Sequence, residues 1–408
     1  MHIPLELRSV PHPGAGREVM EVDSFMQTAI EESIRLLQNN LTPFGIAAAV
    51  STPESLLRSY TCIFARDAAI CVLAMVLSGD DALQSGAKAS LLTLSRHQAS
   101  NGQIPNFVNA GTGEADFWYL GCIDATLWWL IAVNFYANHL PDEHLDRELA
   151  QQIASAVVWL RCQEHPNLFL LQQNEASDWA DIMPRSGFVL YTNALWYYVK
   201  TRYNLANGDQ TKYHFNHLFF PFSTDVPDYR RLRLLRHFVR NKTKSNGLYL
   251  SFVNFSFWGD EGDVFGNLLA ILFGLADDER SNDILYALES KRVNYPFPIR
   301  VTCSPIERAD PLWRAYMARH QQNMRYQYHN GGIWPFVGGF WVLVLARAGR
   351  IAQARTELQR LAEVNSINNW SFNEWFHGQT GEPRGMAKQS WNGAMLLLAH
   401  EGLKRKIF

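Results

Sequence analysis

The sequence has few of the features that mark membrane or secreted proteins. None of its uncharged apolar runs reaches the roughly 18 residues that a membrane-spanning helix requires. The first twenty residues also lack the apolar run of a signal peptide. Only five cysteines occur, an odd number scattered mainly through apolar stretches, which indicates reduced and buried thiols. We therefore expect a cytoplasmic protein with no membrane partner.

Neither sign of charge is in excess, and the common cofactor motifs are missing. The 37 basic residues balance 39 acidic ones, so nucleic acid is not an expected partner. No phosphate-binding GxxxxGK[ST], no GxGxxG after a strand and no GxSxG motif is present. Cys162 and His165 lack a second pair of ligands at zinc-finger spacing. The sequence therefore predicts no metal and no cofactor.

What the chain does have is a helical period and many aromatic residues. Aromatic residues make up 13% of the sequence, including 13 tryptophans, which fits a site that stacks on ring-shaped ligands. Segments that are apolar on every face alternate with segments that have one polar face. The apolar segments are 67–77, 124–136, 188–200, 263–275, 333–347 and 386–402. The polar-faced segments are 22–39, 82–98, 144–162, 277–290 and 350–364.

This alternation predicts two layers of helices, an inner ring buried on all sides and an outer ring with one wet face. With one more helix allowed at 229–240, there are about twelve helices, or six hairpins. We therefore predict a single all-α domain over residues 1–408, an (α/α)6 barrel with short irregular or β insertions in its loops. Residues 1–20 read as an irregular lead-in and 204–258 as a less regular insertion. Short strands are expected at 247–257 and 296–303.

Charged and aromatic side chains stand just before the apolar segments. Inner helices of such a barrel run parallel, so their N-terminal ends, and these side chains, should meet at one end. The converging set is Arg66, Asp67, Asp124, Trp179, Asp181, His329, Trp334 and Glu374. The alternative is that each acid merely caps its own helix.

A floor of carboxylates between aromatic walls suits cleavage of a glycosidic bond. One acid must be protonated to donate to the departing oxygen, while another must be ionised to activate water. Asp124, at the end of an apolar helix among tryptophans, is the candidate for the first role. Glu374, in a loop predicted to be polar, suits the second. Arg66, Asp67 and Asp181 would hold sugar hydroxyls through charge-assisted hydrogen bonds.

Seven blocks of the chain resemble the neutral/alkaline invertases of glycoside hydrolase family 100. More loosely, they resemble the amylo-α-1,6-glucosidase domain of glycogen-debranching enzymes. Tyr-His-Asn-Gly-Gly-Ile-Trp-Pro at 328–335 is the most invertase-like block. The full set is 64–67, 123–129, 181–196, 265–271, 328–335, 373–378 and 385–391.

The resemblance implies an inverting glycosidase that acts on the α-glucosyl unit of sucrose, with Asp124 as general acid and Glu374 as general base. It implies no metal or cofactor. The chain departs from the family at His377, where those invertases tend to carry an acidic residue, and this bears on the leaving-group subsite. The further substrate-binding candidates are Trp179, just before one matching block, and, within the blocks, Trp128, Asn193, His329, Asn330, Trp334, Lys388, Gln389 and Trp391.

Other interpretations of the same residues stay open. A debranching-type enzyme or another α-glucosidase would use the same two acids. A sugar-binding barrel without catalysis would keep the cleft, and a sugar epimerase would use His329 for proton transfer. The aromatic stretch 213–222 could form a homo-oligomer contact. The basic stretch 230–244 reads as a solvated helix face or a subunit contact.

Overall fold

The structure, a computed structural model, describes residues 15–109, 111–119, 121–222, 237–243, 245–254 and 257–408, with side chains from residue 24 onwards. Its described helices are α1 (Ala15–Asn39), α2 (Pro53–Leu57), α3 (Ala65–Leu77), α4 (Asp81–Arg96), α5 (Ile123–His139), α6 (Leu145–Glu148), α7 (Ala150–Arg161), α8 (Leu190–Arg202), α9 (Gly208–Phe219), α10 (237–242), α11 (Val264–Leu272), α12 (Asp278–Ser290), α13 (Pro335–Arg347), α14 (Ile351–Trp370) and α15 (Ser390–Gly402). Short 3₁₀ turns cover Pro141–Glu143 and Ala315–Gln321.

Six helices form a closed inner ring. Each of α3, α5, α8, α11, α13 and α15 contacts the next in that order, and α15 contacts α3. Helices α1, α4, α7, α9, α12 and α14 lie outside this ring, so the chain forms six hairpins. The prediction of an (α/α)6 barrel is confirmed.

The inner helices are buried because their sequences leave no polar face. In α5, every residue from Ile123 to Val133 is buried. Aromatic rings fill the centre of the ring: the centroid of Phe340 lies 4.9 Å from that of Phe265 and 6.0 Å from that of Trp128. Burial of each such side chain contributes roughly 1.5–3 kcal/mol.

Turns between hairpin partners follow the local sequence. Gly79 adopts φ +70°, and Asp80 then caps α4 by accepting a hydrogen bond from the Leu83 N–H at 2.9 Å. Gly349 adopts φ +74° between α13 and α14. Because side chains with a Cβ rarely adopt this conformation, glycine suits both positions.

Short strands connect the helices at the end of the barrel where the inner helices begin. The strands are β1 (Leu41–Thr42), β2 (Gly45–Ile46), β3 (Ile63–Phe64), β4 (Phe107–Val108), β5 (Ala115–Asp116), β6 (Phe188–Val189), β7 (Phe252–Asn254), β8 (Phe257–Gly259), β9 (Trp375–Phe376) and β10 (Pro383–Arg384). They form antiparallel pairs β1–β2 and β9–β10 and antiparallel three-stranded sheets β3–β4–β5 and β6–β7–β8. Strand β3 leads directly into α3 and β6 into α8, while β9 begins directly after Glu374.

Three sequence expectations differ from the structure. Helix α1 begins at Ala15, inside the stretch predicted to be an irregular lead-in. Helix α9 lies within the stretch read as a less regular insertion, where no helix was predicted, and of the helix expected at 229–240 only 237–240 lie within the described residues. The expected strand at 296–303 contributes only isolated bridges, from Arg300 to Ile333 and from Thr302 to Asp263.

The aromatic stretch at 213–222 serves the chain's own core. Phe215 and Phe219 are fully buried and Leu218 is nearly so, because the apolar face of α9 packs inward. These side chains are therefore not available for the subunit contact considered from the sequence. Most of the basic stretch 230–244 lies outside the described residues. Over all the described residues of the chain, no helix is long and apolar enough to cross a bilayer.

Candidate active site

Asp124 lies at the first turn of α5 and meets the start of α3. Its carboxylate is fully buried, and Oδ2 lies 3.3 Å from Arg66 Nη1. The Tyr191 hydroxyl donates to the same oxygen at 2.9 Å, and Cys122 Sγ donates to Oδ1 at 3.1 Å. The Nε of Arg66 lies 3.5 Å from Asp67 Oδ2. One guanidinium therefore joins two carboxylates from neighbouring inner helices.

Trp128 stands behind this cluster. Its indole N–H donates to the Tyr191 hydroxyl at 2.7 Å, and its side chain has no exposed surface. Its indole N–H is thus used within the protein, and substrate contact by Trp128 stays a prediction. The indole orients Tyr191, which in turn holds Asp124.

Glu374 lies immediately before β9, in the connection between α14 and α15. The Tyr60 hydroxyl donates to Oε1 at 2.7 Å, and the Met386 N–H donates to Oε2 at 3.0 Å. Glu374 is only 5% exposed, so its loop is not the solvated polar loop that the sequence suggested. Burial raises the pKa of Glu374 to about 7, and the two hydrogen bonds oppose this rise by favouring the anion.

Asp67 and Asp181 connect the two acids electrostatically. Burial raises the pKa of Asp67 to about 6, while Arg66 opposes the rise and Asp124 adds to it. Burial likewise raises the pKa of Asp181 to about 6, opposed by Arg66. Both carboxylates also raise the pKa of Glu374. The four acids therefore form one electrostatically coupled cluster.

The Asp181 side chain gives this cluster access to solvent. It keeps 48% of its surface accessible, whereas Asp67, Asp124 and Glu374 are buried. Asp181 is therefore the most exposed of the four acids.

Aromatic rings form the floor beside these acids. The His329 ring stacks on Trp334 with centroids 5.0 Å apart and an angle of 16°. It meets Trp179 edge-on at 4.8 Å. Trp391 stacks on Phe336 at 4.0 Å and 13°. Burial, followed by the charges of nearby arginines, holds the pKa of His329 well below its usual value, so its imidazole is neutral.

Several buried polar atoms of the predicted site residues have no hydrogen-bond partner within the described protein. Such groups cost roughly 1–3 kcal/mol each unless a ligand or water satisfies them. Donors and acceptors are both represented, as a polyhydroxyl ligand requires. The atoms are Trp179 Nε1, His329 Nδ1, Gln389 Nε2 and Oε1, and Trp391 Nε1, while Arg66 Nε and Asp67 Oδ2 meet only each other, at 3.5 Å.

Three other predicted substrate-binding side chains are used by the fold. The Asn193 amide donates to the carbonyls of Leu171 and Val189 and accepts from the Leu171 N–H. Asn330 bonds in the same way to both backbone groups of Ile306. Lys388 Nζ donates to the Trp370 carbonyl at 2.6 Å. Their hydrogen-bonding groups therefore anchor loops, and the structure gives no contact that turns them toward the four acids.

The backbone at Gly331 and Gly332 also packs closely against other parts of the protein. A Cβ on Gly331 would lie 2.7 Å from Pro305 Cγ, and one on Gly332 would lie 2.8 Å from the Tyr328 nitrogen. The close packing that glycine permits here is between loops. It shapes the site, because the same turn carries His329.

His377, the position that departs from the invertase pattern, belongs to a hairpin turn. Its Nδ1 accepts from the backbone N–H groups of Gln379 and Thr380 at 3.3 Å each. Its own N–H donates to the Glu382 carbonyl at 2.9 Å. The imidazole thus stabilises the β9–β10 turn that follows Glu374.

Sequence reasoning missed the groups that hold the two acids in place. Tyr60, Tyr191 and Cys122 lie in no charged motif, and their partners are 314, 67 and 2 residues away. Cys122 alone carried a signal, because it immediately precedes the helix of Asp124. Pairings between residues far apart in sequence, such as Tyr60 with Glu374, cannot be predicted from the spacing of residues along the chain.

Comparison with known proteins places this chain among glycosidases. The family model "Alkaline and neutral invertase" matches residues 253–405, which include Glu374 and the 328–335 block. The chain is similar to the alkaline and neutral invertases. A second family model, "Amylo-alpha-1,6-glucosidase", matches residues 57–218, which include Asp124.

Curated and solved relatives agree with these matches. "Cytosolic invertase 1" of Oryza sativa subsp. japonica is 31% identical over 143 residues, which are 33% of this chain and 24% of that protein. The match thus spans about a quarter of the relative's length. The GH63 mannosylglycerate hydrolase of Thermus thermophilus superposes over 91% of this chain and 99% of its own, with a TM-score of 0.64 and 14% identity. Hormoconis resinae glucoamylase superposes over 94% of this chain and 74% of its own, with a TM-score of 0.57 and 13% identity. These likenesses establish the (α/α)6 glycosidase fold.

Proposed function

We propose that the protein is an inverting glycosidase that hydrolyses an α-glucosidic bond of a small sugar. Asp124 donates a proton to the glycosidic oxygen, so that the bond to the anomeric carbon breaks and the leaving group departs as an alcohol. Glu374 accepts a proton from the water that attacks this carbon from the opposite face. The product sugar then has the inverted anomeric configuration. The reaction consumes one water and needs no metal or cofactor.

One observation supports this proposal above the others. Four carboxylates from distant parts of the chain form one electrostatic cluster, and buried polar groups without hydrogen-bond partners and stacked aromatic rings accompany them among the predicted site residues. Arg66, Asp67 and Asp181 offer charged groups to sugar hydroxyls. Trp179 and Trp391 offer indole N–H donors beside ring faces. A binding site for a neutral, polyhydroxylated ring needs this combination.

Sucrose is the substrate that we propose first, because the invertase match covers the segment with Glu374. An α-1,6-linked glucoside is the second candidate, because the amylo-α-1,6-glucosidase match covers the segment with Asp124. We also propose that the protein works in the cytoplasm. All five cysteines are free and four of them are buried, as a reducing compartment favours.

Incubation of the purified protein with sucrose tests the proposal. We expect glucose release, and NMR at early times should show β-glucose before mutarotation. Retention of the α-anomer would contradict the inverting mechanism. Turnover of isomaltose without turnover of sucrose would select the debranching-type reaction.

Two other outcomes would replace the proposal with a different function. Tight binding of a glucoside without turnover would identify a sugar-binding barrel. Isotope exchange into an unhydrolysed sugar, lost in His329→Ala but kept in Asp124→Asn, would identify an epimerase. We do not favour the latter, because His329 is packed between Trp179 and Trp334 and its nearest carboxylate oxygen, on Asp181, is 3.7 Å away.

A further inference from the structure

Two large aromatic side chains stand exposed just before the helix that carries Asp124. Trp118 is 37% exposed and Tyr119 is 85% exposed. Their ring centroids lie 5.1 Å apart at an angle of 49°. The backbone at Trp118 adopts φ +50°, an uncommon conformation for a bulky residue, which turns the chain sharply at this point.

Hydrogen bonds fix this turn on both sides. The Asp116 carboxylate accepts from the Trp118 N–H at 3.1 Å, and the Gly121 N–H donates to the Trp118 carbonyl at 2.7 Å. The Trp118 indole N–H donates to the Ala176 carbonyl at 3.3 Å. The Trp118 ring is therefore held in one orientation, and the exposed Tyr119 ring lies against it.

The same turn is tied to the candidate active site. The Ile123 N–H donates to the Ser177 carbonyl at 3.0 Å, and the Ser177 hydroxyl donates to the Gly121 carbonyl. Ser177 begins the loop that carries Trp179 and Asp181. The exposed pair is thus joined to two segments that carry candidate site residues, the first turn of α5 with Asp124 and this loop.

We infer that Trp118 and Tyr119 form a platform that stacks on the leaving group of the substrate and selects for one with a ring. This inference rests on the proposed function, in which Asp124 protonates the oxygen of the leaving group and so defines the side of the site where that group lies. The two aromatic faces offer apolar contact to the C–H face of a sugar ring. An acyclic or very small leaving group offers no such face.

Of the charged groups next to this platform, the Asp116 carboxylate accepts from the Trp118 N–H at 3.1 Å and would repel another carboxylate. Glu175, next to Ala176, accepts from the Tyr316 hydroxyl at 2.7 Å and lies 3.4 Å from Arg314 Nε. Its charge is therefore already paired within the protein. The platform consequently suits an uncharged ring better than a carboxylate-bearing leaving group.

The test compares two substrates that share the glucosyl unit and differ in leaving group. Sucrose, or isomaltose if the enzyme prefers it, has a sugar as leaving group. α-D-Glucosyl fluoride releases fluoride, which cannot stack. We expect Trp118→Ala and Tyr119→Ala each to lower kcat/KM for the disaccharide by about tenfold while leaving that for the fluoride within about twofold, since aromatic contacts have this magnitude.

Tyr286→Ala provides a matched control, because Tyr286 is 73% exposed on the outer helix α12. This variant should behave like the wild type on both substrates. If Trp118→Ala folds poorly, Tyr119→Ala carries the test, because most of the Tyr119 side chain faces solvent.

Two results would overturn the inference. One is unchanged disaccharide kinetics in both platform variants, and the other is an equal loss on both substrates, which would indicate a general disturbance of the site. Failure of the wild type to hydrolyse either substrate would refute the proposed function itself, so the two failures are distinguishable.

Discussion

The hydrogen bond from Tyr60 to Glu374 allows the role of Glu374 to be read from a pH profile. The hydroxyl donates at 2.7 Å to Oε1, and it favours the ionised carboxylate. Tyr60→Phe removes only this hydroxyl. The remaining ring still stacks near Phe64, whose centroid is 6.4 Å away, so the packing should be preserved.

The size of the expected shift in the pKa of Glu374 follows from the strength of hydrogen bonds to charged groups. A hydrogen bond to a charged group contributes about 1.5–3 kcal/mol, and one pKa unit corresponds to about 1.36 kcal/mol. Loss of the Tyr60 hydroxyl should therefore raise the pKa of Glu374 from about 7 by about 1–2 units. Water that takes the place of the hydroxyl would bring the shift to the lower end.

The limb of the pH profile that moves identifies Glu374 as general base or general acid. A general base must be ionised, so activity should be lost as pH falls through about 7 in the wild type. In Tyr60→Phe this acidic limb of kcat/KM should move to higher pH. If Glu374 were instead the general acid, activity would be lost as pH rises through about 7, and the alkaline limb would move.

The assay is kcat/KM for the cleaved sugar between pH 5 and pH 10, with Tyr316→Phe as the control. Tyr316 donates to Glu175 at the same 2.7 Å, but that glutamate lies outside the cluster of acids described above. The control should leave both limbs in place. A profile that is unchanged in Tyr60→Phe would refute the reasoning that this bond acts on the titrating group, and a shifted alkaline limb would reverse the two roles.

Three further predictions concern the acids and the loops that hold them. Asp124→Asn should lower turnover by about 10²–10⁴-fold while sugar binding, measured by calorimetry, is largely kept, and wild-type turnover would exclude Asp124 as the acid. Gly385→Ala should abolish most activity, because its Cβ would lie 2.7 Å from Glu374 Cβ and closer still to Oε2. Gly349→Ala is the matched control, with φ +74° against φ +70° and no atom within 4 Å, so it should lose only about 1 kcal/mol of stability in a denaturant titration, and equal activity of the two variants would contradict the argument. Asn330→Ala should lower the free energy of unfolding by about 2 kcal/mol or more, because it leaves the buried backbone groups of Ile306 unpaired, and an unchanged unfolding midpoint would show that water replaces the amide.

The architecture could be predicted because burial acts on whole helices. A segment such as 124–136 has no polar face, so it can only lie where protein surrounds it. Six such segments, alternating with polar-faced ones, leave an inner and an outer ring as the simplest arrangement. The exception was the fourth hairpin: α9 carries several polar and aromatic side chains, which blurred its period, and it was missed.

The position of the acids could be predicted for a related reason. Parallel inner helices bring their N-terminal ends together, so Asp67 and Asp124 were expected to be neighbours, and Arg66 joins them in the structure. The environment of each acid was not predictable. Glu374 was expected in a polar loop, yet it is buried, because the β9–β10 hairpin and Tyr60 close over it.

By itself, then, the sequence determined which helix faces must be buried and which helix ends would lie close together, since both follow from local periodicity. Only the tertiary structure decided which polar side chains join the cluster of acids and which are used up by the fold. Asp181 and Asn330 look equally suitable in the chain, but one opens onto solvent and the other bonds to the backbone of a neighbouring loop. The physical reason is that a side chain's partners are set by residues tens or hundreds of positions away, which meet only when the ring closes.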